Sequence, residues 1–200
     1  MTAAVRAPRQ DRSRVTRQRL LEAALECLAD LGWSNTTVVV VAERAGVSRG
    51  AAQHHFATRE ALVAGTISHM SELRRAEIAA HEGVPHSTVE VLELLFGFYS
   101  GPVFRAALQL WVAAAADEGL RALIGPLEAE LGRQAHAMAV ELLGVSEKEP
   151  GVRETVQATL DLVRGLGLAA LLSDDDRRRG RVLRQWARTL DDVLPRQRKR

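Results

Sequence analysis

The stretch Thr36–Phe56, TTVVVVAERAGVSRGAAQHHF, decides how the rest of this 200-residue chain is read. Its middle runs helix, break, helix. Ala42-Glu43-Arg44-Ala45 has helical propensity, and Gly46 tolerates the positive φ that ends a helix. Val47 supplies an apolar plug, and Ser48 carries an oxygen that caps the next helix. That helix, Ser48 to His55, presents Ser48, Arg49, Gln53 and His54 as a polar face. Two short helices around a turn containing glycine form the helix-turn-helix pattern, whose second helix is shaped for a DNA major groove.

The residues just upstream pull two ways. By propensity, Thr36 to Val41 is a strand, because four successive valines favour extended backbone. A six-residue strand has no visible pairing partner elsewhere, however, and Thr36 or Thr37 is placed to cap a helix. The reading is therefore helix, with Val38 and Val41 inward and tertiary context overriding propensity.

Outward from this core the pattern stays helical. A first helix is predicted from about Arg14 to Leu31, with Leu21, Leu25 and Leu28 as its buried stripe and Gly32 as its stop. Trp33 is expected to pack beneath it. Residues 1–13 lack apolar periodicity and carry Arg6, Arg9 and Arg12, which predicts a disordered basic arm. Thr58 caps a helix running to about Ala80, with Val63, Ile67 and Met70 on one face and Gly83-Val84-Pro85 as its end. Further helices follow over Ser87–Ser100, Pro102–Ala116, Glu118–Leu143 (with a kink at Pro126) and Gly151–Leu172. Asp174-Asp175-Asp176 favours the N-terminus of a last helix, Arg177–Leu194. Leu183, Trp186, Leu190 and Val193 form that helix's apolar stripe, and a basic tail, residues 196–200, ends the chain. The expectation is an all-α chain of about nine helices with no internal repeat.

Leu31-Gly32-Trp33, Thr36-Thr37, Ala42 through Ser48, Gly50, His54-His55-Phe56 and Thr58 through Leu62 together resemble the DNA-binding domain of the tetracycline-repressor (TetR) family. The resemblance runs from about Thr16 to Leu73. Gln53 stands where the family usually has Tyr, His55 where an aromatic is common, Arg59 where Lys is usual, and Val40 at an often acidic position. The resemblance implies a three-helix helix-turn-helix head, residues 14–60, with a connecting helix to about 80. It also implies a helical regulatory and dimerisation body over 61–195, binding a small effector.

Sequence-specific recognition needs groups that reach base edges and groups that fix register on phosphates. Arg49 at the start of the second helix can fork onto guanine, and Gln53, four residues on, suits adenine. Gly50 lets the backbone come close, and Ala51 can touch a thymine methyl. Thr37, Ser48, His54, His55, Thr58 and Arg59 form the expected phosphate set, the last two at a helix N-terminus. Metal binding by His54 and His55 is disfavoured, since adjacent helical residues point about 100° apart.

In the body, the resemblance implies that the last two helices form a four-helix interface between two subunits. Val156, Leu160, Val163 and Gly167 recur at i, i+4, i+7 and i+11, and with Leu183, Trp186 and Leu190 they are the candidate interface. The rival reading is an intramolecular core. A dimer would set two recognition helices about one DNA turn apart and bind a pseudo-palindrome. Phe96, Phe98, Tyr99, Phe104, Trp111, His136 and Met138 are candidates to line an effector pocket, and their character predicts an apolar or amphipathic effector.

Composition and charge agree. Residues 1–60 carry nine Arg against six acidic groups, 61–176 eight basic against seventeen acidic, and 177–200 ten basic against two. A basic head on an acidic body suits a DNA-binding regulator. The single cysteine, Cys27, fits a buried thiol in a reducing cytoplasm, and no apolar run reaches membrane-spanning length. No nucleotide-binding glycine motif, Glu-x-x-His pair or nucleophile elbow occurs, so neither an enzyme nor a cofactor is expected. The function expected is a ligand-responsive, homodimeric, cytoplasmic transcription factor on double-stranded operator DNA, with repressor favoured over activator. A sequence-nonspecific nucleic-acid-binding or architectural protein is the alternative.

Overall fold

The computed structural model describes residues 9–80, 85–173 and 175–195. Among them the chain forms nine α-helices and no strand: α1 Arg9–Asn35, α2 Val38–Ala45, α3 Arg49–His55, α4 Arg59–Ala80, α5 Thr88–Gly97, α6 Gly101–Ala116, α7 Glu118–Leu143, α8 Val152–Ala170 and α9 Asp176–Val193. The chain divides into two compact units, residues 1–76 with 102–126, and residues 77–101 with 127–200.

The first unit holds the helix-turn-helix. The four valines are helical, as the absence of a strand partner requires. Thr37 has extended backbone and its hydroxyl accepts from the Val40 amide, which starts α2. Val41 is fully buried and Val38 half-buried, while Val40 also leans on the core. Gly46 ends α2 at φ 62, and the Val47 amide reaches back to the Ala42 carbonyl at 2.9 Å. This is the left-handed glycine stop that lets α3 leave at a sharp angle. The core beneath is built of Leu20, Leu21, Cys27 and Phe56 interleaved with Ala24, Ala42, Ala45 and Ala52. The alanines bring three short helices close together. Burial raises the pKa of the Cys27 thiol, so it stays protonated and packs as a small apolar group.

The first helix differs from its expected bounds. It starts at Arg9, so residues 9–13, expected in the arm, are helical. At the other end Gly32 breaks it (φ 73, ψ 177), and helical backbone resumes to Asn35. In the same unit, α6 lies against this break, because a Cβ at Gly32 would come within 3.0 Å of the Gln109 amide oxygen. Residues 1–8, Gly83, Val84, Asp174 and the tail 196–200 lie outside the described residues, and with them most of the arm, the predicted α4 stop and one acid of the α9 entry.

The second unit packs α5, α7, α8 and α9 around Leu92, Leu95, Val156, Leu160, Val163, Leu183 and Leu190. Helices α8 and α5 approach closely at Gly167, where a Cβ would collide with the Tyr99 carbonyl and sit 2.9 Å from the Tyr99 Cβ. Asp175 caps α9 by accepting from the Arg178 amide, so one acid of the predicted entry is a cap. The Trp186 indole N–H donates to Thr159 at 3.0 Å and ties α9 to α8. The α9 stripe is Leu183, Ala187, Leu190 and Leu194, whereas Val193 is 57% exposed. Leucine 194 takes the inward place expected of Val193 because the helix ends there and the chain turns. Pro126 lies within α7, as the sequence predicts.

Candidate nucleic-acid interface

What aims α3 outward is the burial of one side. Ala52 is fully buried and Phe56 nearly so, which turns Arg49, Gly50, Gln53 and His54 to solvent. The Ser48 hydroxyl accepts from the Ala51 amide at 3.3 Å and fixes the first turn. Ala51 is half-buried. A methyl at Gly50 would meet nothing within 4 Å, so the helix face is open there. Arg49 and Gln53, one turn apart, thus stand on one exposed face with Gly50 between them. Thr37 and Thr58 are exposed, and both hydroxyls already cap helices, Thr58 by accepting from the Ala61 amide. Each still has a second lone pair and a proton for a phosphate.

Two members of the expected phosphate set behave differently. Arg59 is directed inward: its guanidinium carbon lies 3.4 Å from the centroid of the Trp33 ring, and one of its nitrogens donates to the Trp33 carbonyl. Burial pushes its pKa down, against the upward pull of Glu60 and Asp117. It therefore clamps the end of α1 to the start of α4, with stacking and hydrogen bonding both engaged. An Arg59→Gln chain is expected to melt at lower temperature and to keep the salt slope of DNA binding. A slope shallower by about one unit would place Arg59 on a phosphate instead.

His55 is half-buried, with its ring edge-on to His54 at 5.7 Å. Burial, then His54 and Arg17, hold its pKa below the ordinary 6.5. At neutral pH it offers a phosphate a hydrogen bond and no charge. As the pH falls, the unfolded chain takes this proton first, so the contribution to stability is full above about 6.5 and declines below it. Denaturation midpoints measured from about pH 7.5 to about pH 5 are expected to fall less in His55→Gln than in the native chain.

Sequence reasoning missed two supports from α1. The Arg19 guanidinium donates to the Ala45 carbonyl at 2.6 Å, closing the C-terminus of α2. Arg17 lies over the Phe56 ring at 5.3 Å, behind α3. Exposed arginines near a DNA-binding motif read as phosphate ligands, and only the fold shows that these two brace the motif. Also missed is His69 on α4, buried in the first unit, with the Glu72 carboxylate 3.9 Å from its Nδ1.

The expected effector set does not gather in one unit. Phe104 and Trp111 meet edge-on at 6.1 Å in the first, whereas Phe98, Tyr99, His136 and Met138 belong to the second. There Phe98 is core, Met138 packs on that core, and Arg164 lies over the Tyr99 ring at 5.3 Å. Phe96 is likewise covered by Arg179, 4.5 Å from its ring centroid. His136 alone of these lines a cavity of about 660 Å³ between α7 and α8, and its Nε2 is 3.0 Å from the Glu147 carboxylate. The other lining is polar or small, including Arg133, Arg153, Glu154 and Asp161.

The expected interface set is mostly buried already. Val156, Leu160, Val163, Leu183 and Leu190 are at most 2% exposed in the single chain, and Gly167 is buried against Tyr99. Their apolar period serves the chain's own core, and Trp186 alone is half-exposed. Among the described residues no three metal-ligating side chains gather, and no single helix is long and apolar enough to cross a membrane.

Residues 20–66, which contain all of α2 and α3, match the profile of bacterial regulatory proteins of the tetR family. The chain is similar to that family over this N-terminal segment. It is 26% identical over 170 residues to the HTH-type transcriptional regulator BetI of Escherichia coli, an alignment covering 83% of this chain and 87% of BetI. Solved structures share the tetR-family fold over nearly the whole chain. A transcriptional regulator from Rhodococcus sp. Rha1 superposes with TM-score 0.68 at 21% identity, covering 89% of this chain and 97% of that one. The multidrug binding protein EbrR complexed with ethidium gives 0.62 at 23%, covering 86% and 98%. The relatives it matches are regulatory proteins with a helix-turn-helix.

Proposed function

We propose that this regulator is a repressor that binds a pseudo-palindromic operator as a homodimer in the cytoplasm, and that a small apolar or amphipathic effector held in the helical body releases it. The observation that carries the reading is the α3 face, where Arg49 and Gln53 stand exposed one turn apart across Gly50. Arg49 is the guanine reader, Gln53 the adenine reader, and Ala51 the methyl contact. Ser48, Thr37, His54, His55 and Thr58 set the register on phosphates. The functional head ends near residue 60. EbrR's ethidium supports an effector with an apolar body. Effector acts by binding one of two states of the protein more tightly, and the ratio of those affinities sets the response.

The test is selection from random duplexes followed by footprinting across a salt series. A two-fold-related site with half-sites about one helical turn apart is the expected result. Enrichment of no sequence, with binding that collapses as salt rises, would leave only a nonspecific binder.

A further inference from the structure

The cavity of about 660 Å³ between α7 and α8 is lined by charges of both signs. Arg133 and Arg153 stand against Glu147, Glu154 and Asp161, a lining that does not suit an apolar effector. Three of these charges are already engaged. Glu130 accepts from Arg133 at 3.2 Å, and Asp161 accepts from Arg164 at 2.8 Å and from Gln157 at 3.3 Å. Glu147 lies 3.0 Å from the His136 Nε2. That last contact also pins the α7–α8 connection, where Val145 is buried and the Glu149 amide donates to the Ser146 carbonyl at 3.1 Å. One wall of the cavity therefore stands ready before any ligand arrives. Arg153 and Glu154 are left over. Neither has a side-chain partner among the described residues. They cannot satisfy each other, because successive residues of a helix point about 100° apart.

We propose that this cavity binds a small zwitterion of the α-amino-acid class, with its carboxylate on Arg153 and its ammonium on Glu154. A simple anion would meet three carboxylates there, and a polycation would meet two arginines, so each would face charges of its own sign. A bare metal ion finds no three ligating side chains gathered among the described residues. A molecule carrying opposite charges on one carbon matches two unpartnered opposite charges that open into one space. The guanidinium fork of Arg153 suits a carboxylate, and Glu154 accepts the ammonium protons. Ala137 and Ala158 keep the remaining volume open for the ligand's own side chain. The site is additional to the apolar effector of the operator reading and does not depend on it.

Saturation-transfer NMR on the full chain, with the free L-amino acids as probes, tests this. At least one is expected to bind with a dissociation constant of about 0.1–1 mM, in keeping with a ligand of about ten non-hydrogen atoms. The same amino acid with its carboxylate amidated, or with its amine acetylated, should bind about tenfold or more weakly. Arg153→Gln should lose the preference for the free acid over the amide, and Glu154→Gln the preference for the free amine over the acetylated form. Both side chains are exposed, so each variant should keep its melting temperature. Binding by none of the amino acids would overturn the inference. Equal binding of free and blocked forms would overturn it too, leaving an ordinary solvated cleft. Affinity unchanged in both variants would place the amino acid elsewhere in the chain and equally remove this site.

Discussion

An Arg49→Ala chain is expected to keep its melting temperature and lose about 5- to 150-fold in operator affinity for each half-site, the equivalent of about 1–3 kcal/mol. Stability is untouched because Arg49 is exposed at the first turn of α3, where the Ser48 cap and the buried Ala52 hold the helix without it. The loss should be specific. Binding to a scrambled duplex falls only by the one charge removed, whereas discrimination between operator and scrambled duplex shrinks by most of that factor, leaving what Gln53 and Ala51 supply. Arg49→Lys separates the two roles, since lysine keeps the charge and lacks the planar fork. It should hold the nonspecific affinity and still lose discrimination. Equal operator preference in the native and Arg49→Ala chains, measured by competition gel shift, would remove Arg49 from the base-reading set.

The second large effect lies in the body. Gly167→Ala is expected to destabilise the chain by about 3 kcal/mol or more, at or above the usual range for overpacking. The added methyl runs into the Tyr99 carbonyl, which is backbone and cannot rotate aside as a side chain would. Relief requires α8 and the end of α5 to separate, opening the layer that holds Phe98 and Leu166. Gly165→Ala is the control. A Cβ there meets nothing within 4 Å, so the substitution should stabilise by roughly 0.5–1 kcal/mol through backbone entropy. Urea unfolding of both variants at one protein concentration decides it. Similar midpoints would mean that the α5–α8 contact yields more easily than its geometry implies.

These residues also show what the sequence could and could not carry. The caps at Thr37 and Ser48, the glycine stop at Gly46 and the helical valines are local matters, settled within a few residues, and the structure agrees with each. The direction of Arg59 is not local. Whether it faces a phosphate or Trp33 depends on where the end of α1 lies, and a single-residue reading holds no trace of that. The α8 and α9 stripes fail for a different reason. A period of 3.6 says that a face is buried and is silent on whether the covering surface belongs to the same chain. Here Leu92 and Leu95 of α5 share that core, so Val156 and Leu190 mark it instead of a subunit boundary. Aromatic character misled in the same way, since Phe98 and Met138 are core and Tyr99 is covered by Arg164.

The break at Gly32 bears on how such regulators are cut and rejoined. Gln109 of α6 reaches that break, and Asp30, two residues before it, sits 2.9 Å from Arg44 of α2 and 3.8 Å from Arg105 of α6. Residues 102–126 therefore belong to the same compact unit as the helix-turn-helix, although they lie some forty residues further along the chain. A chimera joined after residue 60 would carry the reading helix into its new host and leave α6 behind. Grafts that transplant 102–126 along with the head should inherit its stability, and a lineage exchanging heads between bodies would have to change both segments together.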